Sequence, residues 1–219
     1  MIEYIFPENI DDRVLTRAAK LLSEGKLLAI PTDTSWSIIC SLNSHEGIKR
    51  LRAISGERDE RHFTLLCSDI SQFGEFCSMD NRRFRLIKKL TPGPYVFILK
   101  TLLGTEKALS LRRKEIGVRI PLHPLPLALI KTHSFPLYSV TAKRNMLSNQ
   151  PSKTEAETTE EAYIVEEGLF EEGWELEDIE GISLILDTAE ERPRLFSTIL
   201  DISGDEVLVL RSGAGEWPL

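Results

Sequence analysis

The sequence predicts an α/β fold in which helices pack on a mixed β-sheet. Short apolar runs bounded by glycine or proline alternate with segments whose apolar residues recur every three or four positions. These are the patterns of buried strands and of amphipathic helices, respectively. The chain then closes with three apolar runs that have no helical pattern between them. Alternating elements followed by a strand-rich tail are typical of an α/β protein with a mixed sheet.

Four of the predicted helices begin at residues that can cap a helix, and two of these four end at glycine or proline. Gly25 ends the first helix, and the segment from Thr91 to Pro94 ends the fourth. In chain order, four predicted helices begin after the capping residues Asn9–Asp12, Asn43 or Ser44, Ser68–Asp69 and Asp80 or Asn81. Two more predicted helices cover Leu125–Ile130 and residues 154–172.

The predicted strands are short runs dominated by apolar residues. Pro31 ends the first of them and Pro121 ends the fifth. In chain order, they cover Leu27–Ile30, Ile38–Ile39, Phe63–Cys67, Tyr95–Leu99, Gly117–Ile120, Leu137–Thr141, Ile182–Leu186, Ser197–Ile202 and Val207–Leu210.

Length and composition indicate an ordinary globular protein. The chain has 219 residues, of which 42% are apolar and 28% charged, enough to bury a substantial core. The sequence has no internal repeat and no clean linker, so we predict a single domain over residues 1–219. The first residues are acidic and interrupted by Pro7, unlike a secretory leader. No uncharged apolar run approaches the ~18 residues that a membrane helix needs.

Cysteine and histidine usage argues against disulfides and a bound metal. Cys40, Cys67 and Cys77 lie in apolar stretches and form no Cys-x-x-Cys pair. Such cysteines are expected to be reduced core residues of a cytoplasmic protein. The four histidines are scattered, without a His-Glu-x-x-His motif, so no metal site is predicted.

Charge is distributed unevenly along the chain. Twelve acidic residues and no Lys or Arg lie between Glu155 and Gly181. Taking this local charge of −12 away from the net charge of −7 leaves +5 for the rest of the protein. A mildly basic body suits an anionic ligand such as a nucleotide, whereas an acidic segment by itself is usually a solvated face.

The turn between the first two predicted strands is rich in small polar side chains. Five oxygen-bearing side chains occupy six positions there: Thr32, Asp33, Thr34, Ser35 and Ser37. They can pair the backbone groups of the turn locally. They can also form a polar floor that binds a small ligand at strand ends, where α/β sheets place their pockets. The turn taken by itself leaves both interpretations open.

Standard nucleotide-binding and nucleophile motifs are absent from the sequence. There is no Gly-x-x-x-x-Gly-Lys-Ser/Thr motif, and Gly213–Gly215 lacks the strand and helix that would flank a dinucleotide-binding loop. No spacing suggests a Ser-His-Asp or Cys-His pair.

A series of short motifs, in a particular order, resembles the YrdC/YciO family. Its best-known members make threonylcarbamoyl-AMP for the t6A modification of tRNA. The resemblance covers almost the whole chain. The motifs are Pro31–Thr34, Pro92–Pro94, Val118–Pro121, Pro136-Leu137 before a Ser/Thr cluster, Ser197–Asp201 and Arg211–Gly213.

The resemblance implies a strongly twisted mixed sheet whose flanking helices help to enclose a basic cavity. In that cavity Arg119 would pair with the carboxylate of an amino acid, a task suited to a planar, bidentate guanidinium. The other residues implied at the amino-acid end are Thr32, Thr34 and Ser197. Those implied at the nucleotide end are Arg58, Arg61, Ser139, Thr141, Lys143 and Arg211. Without the family, a strand-edge Arg119, an ordinary strand Ser197 and a solvent-facing Arg211 remain alternatives.

The chain departs from the synthase pattern at three places. Synthases of the family carry a Lys-x-Arg pair after the second helix, where this chain has Ser55–Glu57. Their Thr-Ser-Ala-Asn signature is replaced by Val140–Lys143, and their threonine four residues before the arginine is Glu115. Arg58 and Arg61 can supply charge from neighbouring positions. These features resemble the YciO branch more closely than the established synthases.

The implied reaction joins L-threonine and bicarbonate as a carbamate, which attacks the α-phosphate of ATP and releases pyrophosphate. ATP is then a substrate, Mg²⁺ accompanies it, and no tightly bound cofactor or catalytic side chain is predicted. Each charge-assisted hydrogen bond is worth roughly 1.5–3 kcal/mol. Losing three of them costs on the order of 10³-fold or more in rate. We therefore expect a nucleotide-sized anion to bind, with synthesis less efficient than in the synthases.

A binding module for double-stranded RNA or nucleotide, without turnover, is the alternative function. Family members are described as binding double-stranded RNA, which basic residues can recognise by its shape. The predicted helix over residues 80–90 carries five Lys or Arg residues on its outer face and is the best candidate for such a contact. A solvated helix face explains the same pattern.

Overall fold

Ten strands form a mixed, twisted sheet in the computed structural model, which describes residues 1–56, 63–103, 114–147, 168–191 and 194–217. In chain order they are β1 Ile2–Tyr4, β2 Leu27–Pro31, β3 Trp36–Ser41, β4 Thr64–Leu66, β5 Tyr95–Lys100, β6 Glu115–Arg119, β7 Leu137–Thr141, β8 Ile182–Asp187, β9 Thr198–Asp201 and β10 Leu208–Arg211.

The strands lie in the order β1-β8-β2-β3-β7-β4-β6-β5-β9-β10, and their pairs are both parallel and antiparallel. The predicted α/β class and mixed sheet are therefore confirmed. The two-residue prediction at Ile38–Ile39 was short, because β3 begins at Trp36 and pairs along its length with β2 and β7. The sequence did not reveal β1, a three-residue strand parallel to β8.

Helices pack on this sheet where capping residues predict them. The described α-helices are α1 Asp12–Ser23, α2 His45–Ser55, α3 Ile70–Phe76, α4 Asn81–Leu90 and α5 Pro124–His133. The first four helices are capped by the side chains of Asp11, Ser44, Asp69 and Asp80, each of which accepts a backbone N–H. His123 caps α5 in the same way, with proline at the first helical position.

The predicted helix over residues 154–172 falls largely outside the described residues. Its described end, from Gly168 to Glu172, is not helical: Leu169 forms an isolated antiparallel bridge with Lys143. A 3₁₀ helix follows at Gly173–Asp178. Of the acidic segment between Glu155 and Gly181, residues 168–181 are described.

Both faces of the sheet centre are covered, because neighbouring strand residues belong to different apolar clusters. Along β2, Leu27 and Ala29 pack into one cluster, and Leu28 and Ile30 pack into the other, which also contains apolar residues of α1 and α5. Alternation of this kind follows from the two-residue period of a strand.

The three cysteines are free thiols buried in the core, as predicted. Burial raises the pKa of Cys40 to about 12 despite the opposing charge of Arg52, and it raises that of Cys77 to about 12. Within the described part of the chain, no helix is both long enough and apolar enough to cross a membrane.

Candidate functional site

The polar turn between β2 and β3 is organised around one hydroxyl. Thr32 Oγ1 donates to Ser35 O (2.7 Å) and accepts from the backbone N–H groups of Thr34 and Ser35 (both 3.2 Å). It also lies 3.1 Å from Thr34 Oγ1. Thr32 is almost fully buried, and these contacts pair the backbone of the turn. They hold Asp33 and Thr34 in place.

Arg119, the last residue of β6, connects this turn to two distant parts of the chain. Its Nη1 donates to Thr34 Oγ1 (3.0 Å) and to Ser197 Oγ (2.5 Å), and its Nε donates to Gly93 O (3.3 Å). Its Nη2 donates to Asp33 Oδ1 at 2.6 Å in a buried ion pair. Residues from four separate segments of the sequence thus meet at one guanidinium.

The electrostatics of this cluster are dominated by burial. Burial lowers the pKa of Arg119 from its ordinary value, because a desolvated charge is disfavoured, and the carboxylate of Asp33 opposes that shift. The ion pair with Asp33 favours the charged form of the guanidinium. Asp33 therefore balances the charge of Arg119 within the protein.

A cavity lies above this cluster, between the sheet and the chain that leads into β9. The space open to the centre of a water molecule is about 50 Å³. A single water needs roughly 10–15 Å³ on this measure, so the enclosed part holds a few waters or one small polar group. The described lining residues are Ser37, Thr64, Leu66, Val96, Ile98, Arg119, Ser139, Val140, Thr141, Lys143, Phe196, Ser197, Ile199 and Arg211.

Most of the residues predicted to bind a ligand line this one cavity. They are Arg119, Ser139, Thr141, Lys143, Ser197 and Arg211. Thr34 lies behind them, bonded to Arg119, whereas the bonds described for Thr32 are internal to its turn. Arg58 and Arg61 fall outside the described residues. No ligand is present, so the assignment of these residues to an amino-acid end and a nucleotide end stays a prediction.

The cavity has a cationic mouth, which we define as Lys143, Phe196 and Arg211. The Arg211 guanidinium lies 4.5 Å from the centre of the Phe196 ring, and Lys143 Nζ lies 5.6 Å from it. Arg211 Nε also donates to Ser197 O at 3.0 Å. The described lining contains three cations, Arg119, Lys143 and Arg211, and neither Asp nor Glu, and two of these cations lie at the mouth.

Two motifs near the end of the chain, Ser197–Asp201 and Arg211–Gly213, hold the residues of this mouth in position. Thr198, fully buried, accepts from the backbone N–H groups of Gly213 and Gly215 (both 3.0 Å). A Cβ at Gly213 would overlap the carbonyl group of Phe196, so only glycine allows the two segments to approach this closely. This contact holds Arg211 against Phe196.

Sequence reasoning missed eight of the fourteen described lining residues, of which Ser37, Thr64 and Phe196 are the polar and aromatic ones. Ser37 stands among the hydroxyls of the polar turn but was not assigned to a ligand. Thr64 carries no sequence signal of its own, because its position at the cavity depends on the order of the strands. For Phe196, its place immediately before the Ser197–Asp201 motif was the one available hint.

One of the five basic residues of helix α4 does not lie on a solvated face, in contrast to the prediction. Arg83 is turned toward the β9–β10 turn, where its Nε donates to Ile202 O (2.6 Å) and its Nη2 donates to Gly204 O (2.6 Å). It also pairs with Asp80 at 2.5 Å. Arg83 therefore anchors the helix, while Lys88 and Lys89 remain exposed.

The described residues contain no group of three or more His, Cys, Asp or Glu side chains arranged to hold a metal ion.

Comparison with known proteins decides the family. A sequence profile of the Sua5/YciO/YrdC family, described as "Telomere recombination", matches residues 20–213. This chain belongs to the Sua5/YciO/YrdC family. The family resemblance carried by the order of the motifs is thereby confirmed.

Within the Sua5/YciO/YrdC family, the similarity to YciO extends over nearly the full length of both proteins. Escherichia coli YciO is 28% identical over 217 residues, which cover 97% of this chain and 95% of YciO. The crystal structure of E. coli YciO matches with a TM-score of 0.80 at 27% identity and covers 100% of this chain and 98% of that one. The predicted YrdC-like fold is therefore confirmed.

Family members connected with threonylcarbamoyl-AMP are also similar to this chain. The threonylcarbamoyl-AMP synthase of Bacillus subtilis is 27% identical over 93% of this chain and 54% of the synthase. The crystal structure of Pyrococcus abyssi Sua5 complexed with L-threonine matches with a TM-score of 0.78 at 21% identity, over 97% of this chain and 57% of Sua5. This chain thus spans little more than half the length of these two relatives.

Proposed function

We propose that the cavity binds an ATP-type nucleotide together with an amino acid such as L-threonine, and that the protein acts in or close to the synthesis of threonylcarbamoyl-AMP. The observation that carries the proposal is the convergence of Arg119, Ser197 and the cationic mouth on a single cavity. Similarity to a B. subtilis threonylcarbamoyl-AMP synthase and to a P. abyssi Sua5 complexed with L-threonine supports the choice of substrates.

The charges of the lining residues indicate which part of the ligand each residue would bind. The hydroxyls of Ser139, Thr141 and Ser197 can accept or donate hydrogen bonds to polar groups of a ligand. Lys143 and Arg211 supply the positive charge that a triphosphate needs. The enclosed space is too small for a whole nucleotide, so the nucleotide would extend outward past the mouth and place its phosphates beside these two cations.

In the proposed reaction, a carboxylate oxygen of the carbamate formed from L-threonine and bicarbonate attacks the α-phosphorus of ATP. The bond from this phosphorus to the oxygen bridging to the β-phosphate breaks, and pyrophosphate leaves with that bond's electron pair. Such a displacement depends on positioning and on fixed positive charge rather than on a covalent intermediate. Lys143 and Arg211 are the residues that we assign to stabilising the leaving charge, and Mg²⁺ would arrive with the nucleotide.

Pyrophosphate release tests this proposal. Incubation with ATP, L-threonine and bicarbonate should release pyrophosphate, and Arg211→Ala or Lys143→Ala should lower the apparent affinity for ATP. Lys131→Ala, which removes an exposed lysine of α5, is the matched control and should leave ATP affinity unchanged. Absence of both pyrophosphate release and ATP binding would refute the proposal.

A second candidate is a module that binds nucleotide or RNA without turnover. The observation that favours it is the group of exposed cations that α4 retains after Arg83 is committed to the protein: Arg85, Lys88 and Lys89. RNA binding through these residues should weaken steeply with salt and respond to Lys88→Glu with Lys89→Glu. An RNA affinity that is indifferent to salt would exclude this function.

We place the protein in the cytoplasm, because its three cysteines are buried, free thiols, as expected in a reducing compartment. Fractionation of the source cells would test this location.

A further inference from the structure

Asp33 is a buried charged residue for which neither the sequence motifs nor the proposed reaction supplies a role. It follows β2 in the polar turn, its side chain is 12% exposed, and it forms the ion pair with Arg119. Its second oxygen, Oδ2, is buried and has no hydrogen-bond partner among the residues that the structure describes. A buried carboxylate oxygen without a partner is unusual and costs free energy, so it calls for an explanation.

The hydrogen bonds of Arg119 supply that explanation. A guanidinium group has five N–H donors. Four of them are accepted within the protein, by Gly93 O, Thr34 Oγ1, Ser197 Oγ and Asp33 Oδ1. The donors of Nε and Nη1 are thus fully used, so a ligand carboxylate can reach the guanidinium only at Nη2, the nitrogen that Asp33 occupies.

Of these four contacts, the one with Asp33 is the natural one to exchange. A ligand carboxylate carries the same charge as Asp33 and accepts the same hydrogen bond, so the buried guanidinium keeps a counter-ion throughout. Asp33 offers only Oδ1 to Arg119, and its Oδ2 has no bond to lose.

We propose that Asp33 is an internal competitor for Arg119. It neutralises the guanidinium when no ligand carboxylate is bound, and the carboxylate of an incoming amino acid has to displace it. Asp33 thereby lowers the affinity of the amino-acid end for a ligand carboxylate. This inference rests on the proposed function in taking the ligand group at Arg119 to be a carboxylate.

Asp33→Asn is the first test, since it keeps the shape of the side chain and an oxygen acceptor but removes the competing charge. L-Threonine should bind Asp33→Asn at least tenfold more tightly than the wild type by calorimetry, because the guanidinium then lacks a counter-ion. L-Threoninol, which has a hydroxymethyl group in place of the carboxylate, should bind the two proteins equally. Glu3→Gln makes the same change of net charge on the edge strand β1 and should not alter either affinity.

Two results of this test would overturn the proposal. Unchanged threonine affinity in Asp33→Asn would mean that Asp33 is purely structural. Weaker threonine binding would mean that Asp33 contacts the ligand directly, for example by accepting from its ammonium group.

Chemical rescue keeps the proposal testable if Asp33→Asn does not fold. Asp33→Ala leaves a space beside Arg119, and acetate at tens of millimolar should raise its melting temperature by several degrees. The wild type, in which Asp33 competes for Arg119, should gain much less, and Glu3→Ala should gain nothing. Acetamide, which has the same shape and no charge, should not rescue it. Failure of acetate to stabilise Asp33→Ala beyond its effect on Glu3→Ala would contradict the proposal.

The test of Asp33 and the test of the proposed function can be told apart by their results. ATP binding and pyrophosphate release by the wild type test the function, and neither measurement involves a change at Asp33. If the wild type binds ATP while Asp33→Asn gains no affinity for threonine, the competitor is refuted and the function stands. If the wild type does not bind ATP while Asp33→Asn binds threonine more tightly, the proposed function is refuted and the role of Asp33 as a competitor stands.

Discussion

Removing either Arg119 or Asp33 alone should destabilise the protein strongly, whereas removing both should cost much less than the sum of the two single changes. The two side chains are 6% and 12% exposed, and 2.6 Å separates Nη2 from Oδ1. Removing one partner of such a pair leaves an uncompensated buried charge, which typically costs about 3–5 kcal/mol. We expect Arg119→Met to lower the free energy of unfolding by about that amount, and Asp33→Asn by somewhat less because its amide oxygen still accepts the hydrogen bond.

The double variant, Asp33→Asn with Arg119→Met, should lose much less than the sum of the two single variants, because no buried charge is left unpaired. The expected coupling free energy is about 2 kcal/mol or more, measured by urea unfolding followed through tryptophan fluorescence. The exposed pair of Arg17 and Glu3, at 3.0 Å, is the control and should give below about 1 kcal/mol. Additivity within about 0.5 kcal/mol at the buried pair would refute the reasoning.

Two further predictions concern the pH dependence of stability and the close approach of Gly213 to Phe196. Burial lowers the pKa of His133, so below its ordinary pKa of about 6.5 the unfolded chain binds a proton that the folded chain does not. The free energy of unfolding should therefore fall as the pH drops below about 6.5. In urea titrations at pH 7 and 5.5, His133→Gln should reduce this dependence of the unfolding free energy on pH. Replacement of the exposed His45 is the control and should leave the dependence unchanged. An equal slope in His133→Gln would contradict the assignment. Gly213→Ala should lower the melting temperature by several degrees, because its Cβ would overlap the Phe196 carbonyl, while Gly204→Ala, whose Cβ has no neighbour within 4 Å, should change it little. Equal melting temperatures for the two alanine variants would show that the two segments separate without cost.

Local patterns were sufficient to predict most of the secondary structure. Asp11, Ser44, Asp69 and Asp80 cap the helices that they were expected to begin, because capping is a contact between residues two or three positions apart. The short edge strand β1 escaped because three residues are too few for a period-two pattern, and its pairing depends on β8, far away in the sequence.

The site could be predicted only in part, because its important contacts are distant in sequence. Residue types and motif order identified six of the fourteen described lining residues of the cavity. The ion pair of Asp33 with Arg119 joins residues 86 positions apart and requires the order of the strands between β2 and β6 to be known. Arg83 was counted among outward cations because its spacing fits the polar face of α4, yet carbonyl groups of the β9–β10 turn bind it. Helical periodicity carries no information about such a partner.

The central claim is that one cavity holds an amino acid at Arg119 and a nucleotide at its cationic mouth. A crystal structure determined after soaking with ATP and L-threonine tests this claim most directly. Density for the phosphates beside Lys143 and Arg211, with the threonine carboxylate on Arg119, is the predicted result. Ordered ATP or threonine bound at a different surface, with the cavity between these residues unoccupied at saturating ligand, would contradict it.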